Sequence, residues 1–487
     1  MESLLLVLLP LVFGIITVLV GKGLAKQTAL AGGLASFGLF AYMLSQFAPV
    51  ADSQFAISIP WMRDFGVHFA LGLDGISLIP VLLTAVLVPL ILVVAGGTDY
   101  KRTEVFHALI LFMQSGLYLV FLAKSALTFY LGWEAALIPV FFLSGVWGGE
   151  NRLRATIKFV VYTLFGSLCM LIGLAFIYFQ TSGTFIGLSD SWADIVAVGN
   201  SLEVETQSWL FWAIFIAFAI KMPLFPFHTW QPDVYVQSPT PATMLLSGIM
   251  LKMGVYGVLR WLLPVLPMGV EHWAPTVIVL SIIGVVYGSI IAIKQSDIKR
   301  LVAYSSFAHV GLMCAGMFTL TTQGVEGAII QMFSHGLTVL GLFLAVDVIS
   351  KSTGERNLEY LGGLTQYSPS FSVYFVLMLL GSVALPLTSG FVGEFLLLQG
   401  LAEYNIWIAL AAGGTVIFSA VYMLRMFQGI MLGPKPDGLS PLIPLTFGDN
   451  FVFITLAILI FWLGLFPAPF IELIKPSVAY LIQTAGR

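Results

Sequence analysis

The chain has 487 residues, of which 59% are hydrophobic and only 9% are charged. Soluble proteins carry about 25% charged residues, so this composition indicates a polytopic membrane protein. The net charge of −3 argues against nucleic acid as a partner. The two cysteines, Cys169 and Cys314, form no C-x-x-C pair, and the chain has no glycine-rich nucleotide loop between a strand and a helix. These features argue against iron–sulfur clusters, structural zinc and bound nucleotides.

The apolar runs predict an all-α polytopic membrane protein with about 14 transmembrane helices, because each crossing needs about 20 apolar residues. The first run starts at Leu4 without a basic leader or cleavage site, which favours a retained helix. Two long polar stretches, 48–74 and 181–206, are predicted to be connections. The predicted spans are 3–21, 27–47, 75–97, 104–122, 125–147, 154–180, 207–227, 239–263, 273–293, 297–319, 322–350, 370–398, 403–425 and 450–472.

Basic residues are distributed unevenly between the loops, which we number by the span that each loop follows. Odd loops hold thirteen of them: Lys22, Lys26, Lys101, Arg102, Arg152, Arg154, Lys294, Lys299, Arg300, Lys351, Arg356, Arg425 and Lys435. Even loops and the C-terminus hold five: Arg63, Lys124, Arg260, Lys475 and Arg487. Because cytoplasmic loops are enriched in Lys and Arg, the odd loops are predicted to be cytoplasmic, or matrix-like, and both termini to lie outside.

An internal repeat is indicated by two dipeptides that recur at nearly constant separation. Pro223-Leu224 in span seven recurs as Pro386-Leu387 in span twelve, and Leu259-Arg260 recurs as Leu424-Arg425. Five spans separate the members of each pair. An odd number of spans inverts the second copy in the membrane, an arrangement that many transporters use.

Two lysines, Lys221 and Lys252, lie inside otherwise apolar runs, and Pro223 and Pro226 follow the first of them. A charged side chain at the bilayer centre costs roughly 2.5–3.5 kcal/mol on insertion scales. Proline breaks the helix, and broken backbone is tolerated in a membrane only where it is buried in protein or lines a watery cavity. The pattern therefore predicts sites that handle ions or protons, whereas snorkelling to the headgroups is disfavoured by the distance to either interface.

Glu134 lies nine residues past Ser125, roughly 13 Å into its helix and near mid-bilayer. One interpretation is a carboxyl group kept neutral by burial. The other is a carboxylate paired with Lys221, because intramembrane charges usually pair. Burial lowers the pKa of a lysine and a neighbouring carboxylate raises it, so movement of Glu134 is predicted to switch Lys221 between holding and releasing a proton.

Span twelve contains Glu394 eight residues beyond Pro386, so a broken helix and an ionisable group occur together again. His309 in span ten and His335 in span eleven are candidates for relaying protons between these groups, although a lone buried histidine is often a satisfied core residue. Other ionisable residues have different predicted places. Glu326 and Asp347 are predicted to be interfacial, and His228 and Asp233 are candidates for an uptake path. Asp74 and Glu104 fit either a loop or an uptake role.

Several stretches at these residues resemble one known family. They are WEAALIPVFFLSGVWGGENR, IKFVVYTLFGSL, KMPLFPFHTWQPD, LKMGVYGVLR and LPLTSGFVGEF. In this order they are similar to the proton-translocating antiporter-like subunits of respiratory complex I, the NADH–quinone oxidoreductase. The similarity covers about residues 70 to 430.

The resemblance implies fourteen helices with two inverted five-helix repeats and broken helices at spans seven and twelve. It implies an N-terminal three-helix segment, a first repeat of spans four to eight, a second, inverted repeat of spans nine to thirteen, and a C-terminal helix with its tail. The corresponding ranges are 1–103, 104–263, 273–427 and 428–487.

The resemblance also implies residue roles. Glu134 and Lys221 become the acid and base of spans five and seven, Lys252 the central lysine, and Glu394 the acid that passes protons outward. It implies no cofactor in this chain, with NADH, flavin, iron–sulfur clusters and quinone in partner subunits of complex I. The location it implies is the bacterial inner membrane, in which the distribution of basic residues predicts both termini on the periplasmic side.

An alternative is a subunit of an Mrp-type cation/proton antiporter. Glu394 favours a complex I subunit over an Mrp-type subunit, because related subunits and the Mrp-type subunits carry lysine at that position. The sequence departs from the family at Gln231, where leucine is usual, and in the unusual stretch 234–238. These departures leave the proton uptake path unassigned.

Overall fold

The computed structural model describes residues 1–184 and 187–486 and is mostly helical. The helices are α1 (Glu2–Leu19), α2 (Ala25–Gln46), α3 (Gly75–Gly96), α4 (Thr103–Leu122), α5 (Ala126–Trp147), α6 (Arg152–Thr184), α7 (Trp192–Ser201), α8 (Val204–Lys221), α9 (Gln231–Gln237), α10 (Thr240–Leu245), α11 (Lys252–Gly257), α12 (Pro267–Lys294), α13 (Ile298–Met317), α14 (Thr322–Thr353), α15 (Pro369–Ser382), α16 (Ser389–Tyr404), α17 (Ile406–Met431), α18 (Phe447–Leu465) and α19 (Ala468–Thr484). The π-helical turn Leu246–Met250 joins α10 to α11, and a second π-helical turn, Val258–Leu262, follows α11, so that all of them form one segment, Thr240–Leu262.

In the described part of the chain, eleven helices are long and apolar enough to cross a membrane. A helix satisfies its own backbone hydrogen bonds, which is why it can cross lipid. The most apolar stretches of Thr240–Leu262 and Thr322–Thr353 are completely buried, whereas only 33% of the corresponding stretch of Glu2–Leu19 is buried. Thr240–Leu262 and α14 therefore form the centre of the bundle, and α1 lies at its edge.

A β-hairpin occupies most of the stretch 48–74, which the sequence predicted to be a polar connection. Strands β1 (Gln54–Met62) and β2 (Val67–Leu73) are antiparallel. Gly66, at the turn, has φ +60°, and a Cβ there would lie 1.7 Å from the carbonyl oxygen of Leu188, so only glycine fits. The all-α prediction is therefore wrong in this segment, because a short pairing on the rim of a helical bundle leaves only a weak sequence signal.

Two helix ends show the same hydrogen-bond pattern: α8 ends at Lys221 and is followed by α9 from Gln231, and α15 ends at Ser382 and is followed by α16 from Ser389. After α8 ends, the amide of Met222 bonds to the carbonyl of Phe218, and that of Leu224 to the carbonyl of Ala219. After α15 ends, equivalent bonds join Val383 to Leu379 and Leu385 to Leu380. The break after α8 coincides with Pro223, whose missing N–H cannot continue the helix.

Two further differences from the predicted elements concern the connection 181–206 and the last predicted span. The connection predicted at 181–206 contains α7, and it also includes residues outside the described part of the chain. The last predicted span, 450–472, is wrong at its end, because α18 stops at Leu465 and α19 begins after Pro467. Arg487, counted among the outer basic residues, lies outside the described residues.

Candidate functional site

Lys252 lies at the centre of the bundle and is fully buried. It follows the π-helical turn Leu246–Met250, and isolated π turns are frequent at functional sites. Its Nζ donates a hydrogen bond of 2.7 Å to the carbonyl of Ser247 and lies 2.9 Å from Nδ1 of His335. An imidazole from α14 is therefore the side-chain partner of the central lysine.

A second histidine continues this contact towards Glu394. The ring centres of His335 and His309 are 6.2 Å apart. Nδ1 of His309 lies 2.7 Å from Oε1 of Glu394, although the two groups are not aligned for a hydrogen bond, and Gln331 donates to the same oxygen at 3.3 Å. Lys252, His335, His309 and Glu394 thus form a buried row, to which we refer as the central row.

The central row contains groups that can pass a proton in sequence. A neutral imidazole has one N–H and one lone pair, so it can accept a proton on one nitrogen and release one from the other. Within the described part of the chain, Nε2 of both histidines and Oε2 of Glu394 have no hydrogen-bond partner. The sequence identified all four residues, but it did not predict that His335 directly contacts Lys252.

Lys221 and Glu134 are close but do not form the direct ion pair that the sequence predicted. Lys221 is 1% exposed, and its Nζ lies 5.2 Å from the ring centre of Trp133 and 5.9 Å from that of Phe159. Among the described residues, neither Lys221 Nζ nor Glu134 Oε1 has a hydrogen-bond partner. Glu134 is still near enough to act on Lys221 electrostatically, so aromatic rings, rather than the carboxylate, contact the amine.

A polar pocket opens at the end of the bundle where α5 leads into α6. Asp233 lies between Lys158, at 2.9 Å, and Arg300, at 2.7 Å. The pocket has a volume of about 440 Å³, and these three residues line it together with Asn151, Arg154 and Gln237. The sequence suggested an uptake role for Asp233 but gave none to Lys158 or Arg300, because their convergence depends on the packing of α6, α9 and α13.

His228 and Gln231 are close in sequence to Asp233, but both are buried and neither lines the pocket. The ring of His228 stacks on Phe307 with ring centres 4.4 Å apart. Gln231 is fully buried and donates to the carbonyl of Ala303 at 3.2 Å. The departure from leucine at position 231 is therefore a core contact between α9 and α13.

Three ionised side chains, those of Asp74, Lys124 and Arg260, form a cluster at the hairpin end of the bundle. The sequence did not predict that they meet. Asp74 caps α3, accepting from the amides of Ile76 and Ser77 at 3.1 Å each. Its carboxylate also contacts Lys124 Nζ at 2.5 Å and the guanidinium of Arg260. Burial alone raises the pKa of Asp74, but the positive charges of Arg260 and Lys124 outweigh that effect and hold its pKa well below the usual range.

The remaining ionisable residues named in the sequence lie towards the helix ends. Asp347 accepts from Thr240 at 2.5 Å and from Lys351 at 2.7 Å. Glu326 is 7% exposed near the start of α14. In the described residues, no group of three or more His, Cys, Asp or Glu side chains is placed to hold a metal ion.

The structure is a largely helical membrane bundle with a row of ionisable side chains at its centre. This arrangement is typical of polytopic membrane proteins that carry charge through their interior. Residues 123–419 match the family described as NADH:quinone oxidoreductase/Mrp antiporter, TM. The chain is 39% identical over 466 residues to the NADH-quinone oxidoreductase subunit M of Rhodobacter capsulatus, covering 94% of this chain and 90% of that one. It is 36% identical over 486 residues to the NADH-ubiquinone oxidoreductase chain 4 of Arabidopsis thaliana, covering 98% of this chain and 96% of that one.

The chain therefore belongs to the subunit M (chain 4) family of the NADH–quinone oxidoreductases, which confirms the resemblance seen in the sequence motifs. The fold is similar to that of a chain in the structure of respiratory complex I from Thermus thermophilus with bound NADH. The TM-score is 0.90 at 31% identity, with 100% of both chains covered.

Proposed function

We propose that this chain is a proton-translocating membrane subunit of respiratory complex I, in which electron transfer in partner subunits drives protons through the central row. The observation that carries the proposal is the buried contact of Lys252 with His335, continued by His309 to Glu394. Ionisable side chains within a membrane are expensive and mark proton or ion pathways.

The redox chemistry belongs to other subunits. The names of the relatives contain NADH and quinone or ubiquinone. In the proposed complex, these molecules, together with flavin and iron–sulfur clusters, would be bound by membrane and peripheral partner subunits. This chain contributes lysine, histidine and carboxylate groups, whose chemistry is proton transfer. It would therefore act as the translocating part of a larger NADH:quinone oxidoreductase.

Glu134 and Lys221 would couple the central row to those partners. A carboxylate that approaches Lys221 favours its ammonium form, and one that withdraws favours the neutral amine. The amine has no hydrogen-bond partner among the described residues and faces aromatic rings, so few contacts hold it in place. Movement of Glu134 would then change the charge next to the segment that carries Lys252.

The fold would comprise fourteen spans with two inverted five-helix repeats, 104–263 and 273–427, between an N-terminal segment and a C-terminal helix. The hydrogen bonds after α8 and α15 support the repeat, because the same pattern recurs from 222 to 383 and from 224 to 385, at equal separation. The broken seventh and twelfth spans would be α8 with α9 and α15 with α16.

Protons would enter from the cytoplasm through the pocket around Asp233 and leave on the periplasmic side beyond Glu394. The excess of basic residues in the odd loops supports this orientation, in which both termini lie outside the bacterial inner membrane. The pocket supplies polar groups on the side where protons would be taken up.

The proposal is tested with Lys252→Met in the whole complex, reconstituted into vesicles with quinone. Methionine keeps an apolar stem of similar length and removes the titratable amine. We expect NADH oxidation to persist while the number of protons translocated per electron falls. Lys101→Met, at an exposed lysine, is the matched control. An unchanged proton-to-electron ratio in Lys252→Met would refute the proposal, and cation/proton exchange without NADH oxidation would favour the Mrp-type alternative.

A further inference from the structure

The segment that carries Lys252 also presents a phenol and a guanidinium towards the hairpin end. Lys252, Tyr256 and Arg260 are spaced four residues apart, and helical residues at this spacing are neighbours, with Cβ atoms about 5–6 Å apart. The guanidinium carbon of Arg260 lies 5.9 Å from the ring centre of Tyr256, so the two side chains do lie along one face. All three residues are buried.

This face ends at the cluster of Asp74, Lys124 and Arg260, to which we refer as the outer triad. Lys124 follows α4, and its side chain is 15% exposed, so it lies where the cluster meets the surface at the hairpin end. The hydroxyl of Tyr256 donates to the carbonyl of Phe121 at 3.0 Å, near the end of α4. The phenol therefore lies between the central lysine and the chain segment that carries Lys124.

The hairpin leaves room for the lysine side chain. A Cβ at position 72 would lie 3.3 Å from Cε of Lys124 and 2.1 Å from the hydroxyl of Ser53. Glycine at this position thus lets the hairpin close over Lys124 while the amine reaches Asp74.

The charges of the outer triad do not balance when every group is ionised, because one carboxylate faces two cations. Arginine keeps its proton in proteins, so Lys124 is the cation able to give one up. Burial and the charge of Arg260 lower the pKa of Lys124 to about 8, although Asp74 opposes the shift. Loss of that proton leaves a neutral cluster of Asp74 and Arg260 with an amine.

We propose that the outer triad ends a second outward proton branch, in which protons leave Lys252 by way of Tyr256 and are released to water from Lys124. The inference rests on the proposed function and adds to it a route that does not use His309 or Glu394. The Lys252 ammonium gives up one proton, the Tyr256 hydroxyl accepts a proton and passes on its own, and the neutral Lys124 amine receives one. The Lys124 ammonium then releases a proton to the outer water, so the phenol and the amine return to their starting states and one proton has moved.

The test measures the share of proton translocation that belongs to this chain, defined as the proton-to-electron ratio lost in Lys252→Met. Glu394→Gln closes the first branch, and Tyr256→Phe closes the second while keeping the aromatic packing. We expect each single variant to lower the share about twofold, because the other route stays open. The double variant closes both routes and is expected to lower the share at least about tenfold.

Lys124→Arg separates proton release from a purely structural role. Arginine keeps the positive charge next to Asp74 but does not release a proton. In the Glu394→Gln background we expect Lys124→Arg to reduce the remaining share at least about tenfold, by the same parallel-route argument. Lys26→Arg, at the exposed ion pair with Asp99, is the matched control and should leave the share unchanged.

Two outcomes would overturn the branch while leaving the proposed function intact. One is a Tyr256→Phe/Glu394→Gln double variant that retains the share of Glu394→Gln alone. The other is a Lys124→Arg variant that behaves like its Glu394→Gln parent, which would make the outer triad structural only. A Lys252→Met variant with no loss of pumping would instead refute the proposed function itself. Recovery of the assembled complex is measured for every variant.

Discussion

At the scale of single residues, Lys252 is held by a carbonyl and an imidazole rather than by a carboxylate. An ammonium group next to a carboxylate is stabilised in its charged form, whereas an imidazole can exchange a proton with it. The negative charge of Glu394 is displaced from the lysine by two histidine rings. This separation favours transfer along the central row over permanent pairing at one end of it.

Replacing His335 by leucine is expected to lower the chain's share of proton translocation about twofold, as for Glu394→Gln, because the imidazole lies between Lys252 and the branch that ends at Glu394, while the branch through Tyr256 stays open. Lys252 would keep only its contact with the carbonyl of Ser247. His272→Leu, at an exposed histidine, is the matched control. The measurement is the proton-to-electron ratio in vesicles, and an unaltered ratio in His335→Leu would remove the histidine from the route.

Glu134→Gln should also reduce translocation, because the charge that acts on Lys221 is lost while the side-chain shape is kept. NADH oxidation is expected to slow as well, since translocation and electron transfer are coupled under the proposed function. Glu150→Gln, at an exposed glutamate, is the control. Normal coupling in Glu134→Gln would show that Lys221 does not depend on this carboxylate.

The sequence identified the charged residues of the site better than their contacts. Lys252 and Glu394 stand out because a charge in an apolar run is rare. Their neighbours are set by which helix faces meet, which periodicity within one span does not reveal. The outer triad was missed because Asp74, Lys124 and Arg260 lie near the ends of three different spans, where charged residues are ordinary.

At the scale of elements, the end of α8 determines where Lys221 and the segment carrying Lys252 meet. A Cβ on Gly254 would lie 2.7 Å from the carbonyl oxygen of Phe218 and 2.8 Å from the amide nitrogen of Met222. The two backbones therefore touch where α8 stops. Pro223 and Pro226 predicted that the helix ends after Lys221, whereas the close approach of α11 to α8 depends on tertiary packing.

Gly254→Val is expected to force these backbones apart and to lower both stability and translocation, since overpacking a core costs about 1–3 kcal/mol. Gly413→Val is the control, because a Cβ at Gly413 meets nothing within 4 Å. Thermal inactivation of the assembled complex and its proton-to-electron ratio are the measurements. If Gly254→Val matched its control in both, the contact between α8 and α11 would be unimportant for the site.

The elements least visible in the sequence lie at the rim of the bundle. The hairpin, α7 and α19 occupy stretches where apolar runs are short or interrupted. The membrane-length rule detects long helices, and it carries no information about a two-stranded pairing whose partners are set by the surrounding loops. Β2 bridges to Ala123 through Leu71, a contact between distant stretches that no local pattern encodes.

At the scale of the whole molecule, the two most buried segments, Thr240–Leu262 and α14, supply Lys252 and His335. Surrounding helices shield this centre from lipid, and polar clusters lie towards both ends of the bundle, around Asp233 and Asp74. A route across the membrane requires such a sequence of polar groups, flanked by apolar helices that prevent leakage. Under the proposed function, the orientation of the bundle decides which cluster would take up protons and which would release them.

The orientation is tested by labelling single cysteines in intact cells. In a background in which Cys169 and Cys314 are replaced by alanine, cysteine is introduced at the exposed Asp52, near the hairpin, or at the exposed Lys435. The excess of Lys and Arg in odd loops predicts that a membrane-impermeant thiol reagent labels position 52 from outside. Position 435 should react only after the membrane is opened. The reverse pattern would exchange the uptake and release ends and would make the Asp233 pocket the site of release.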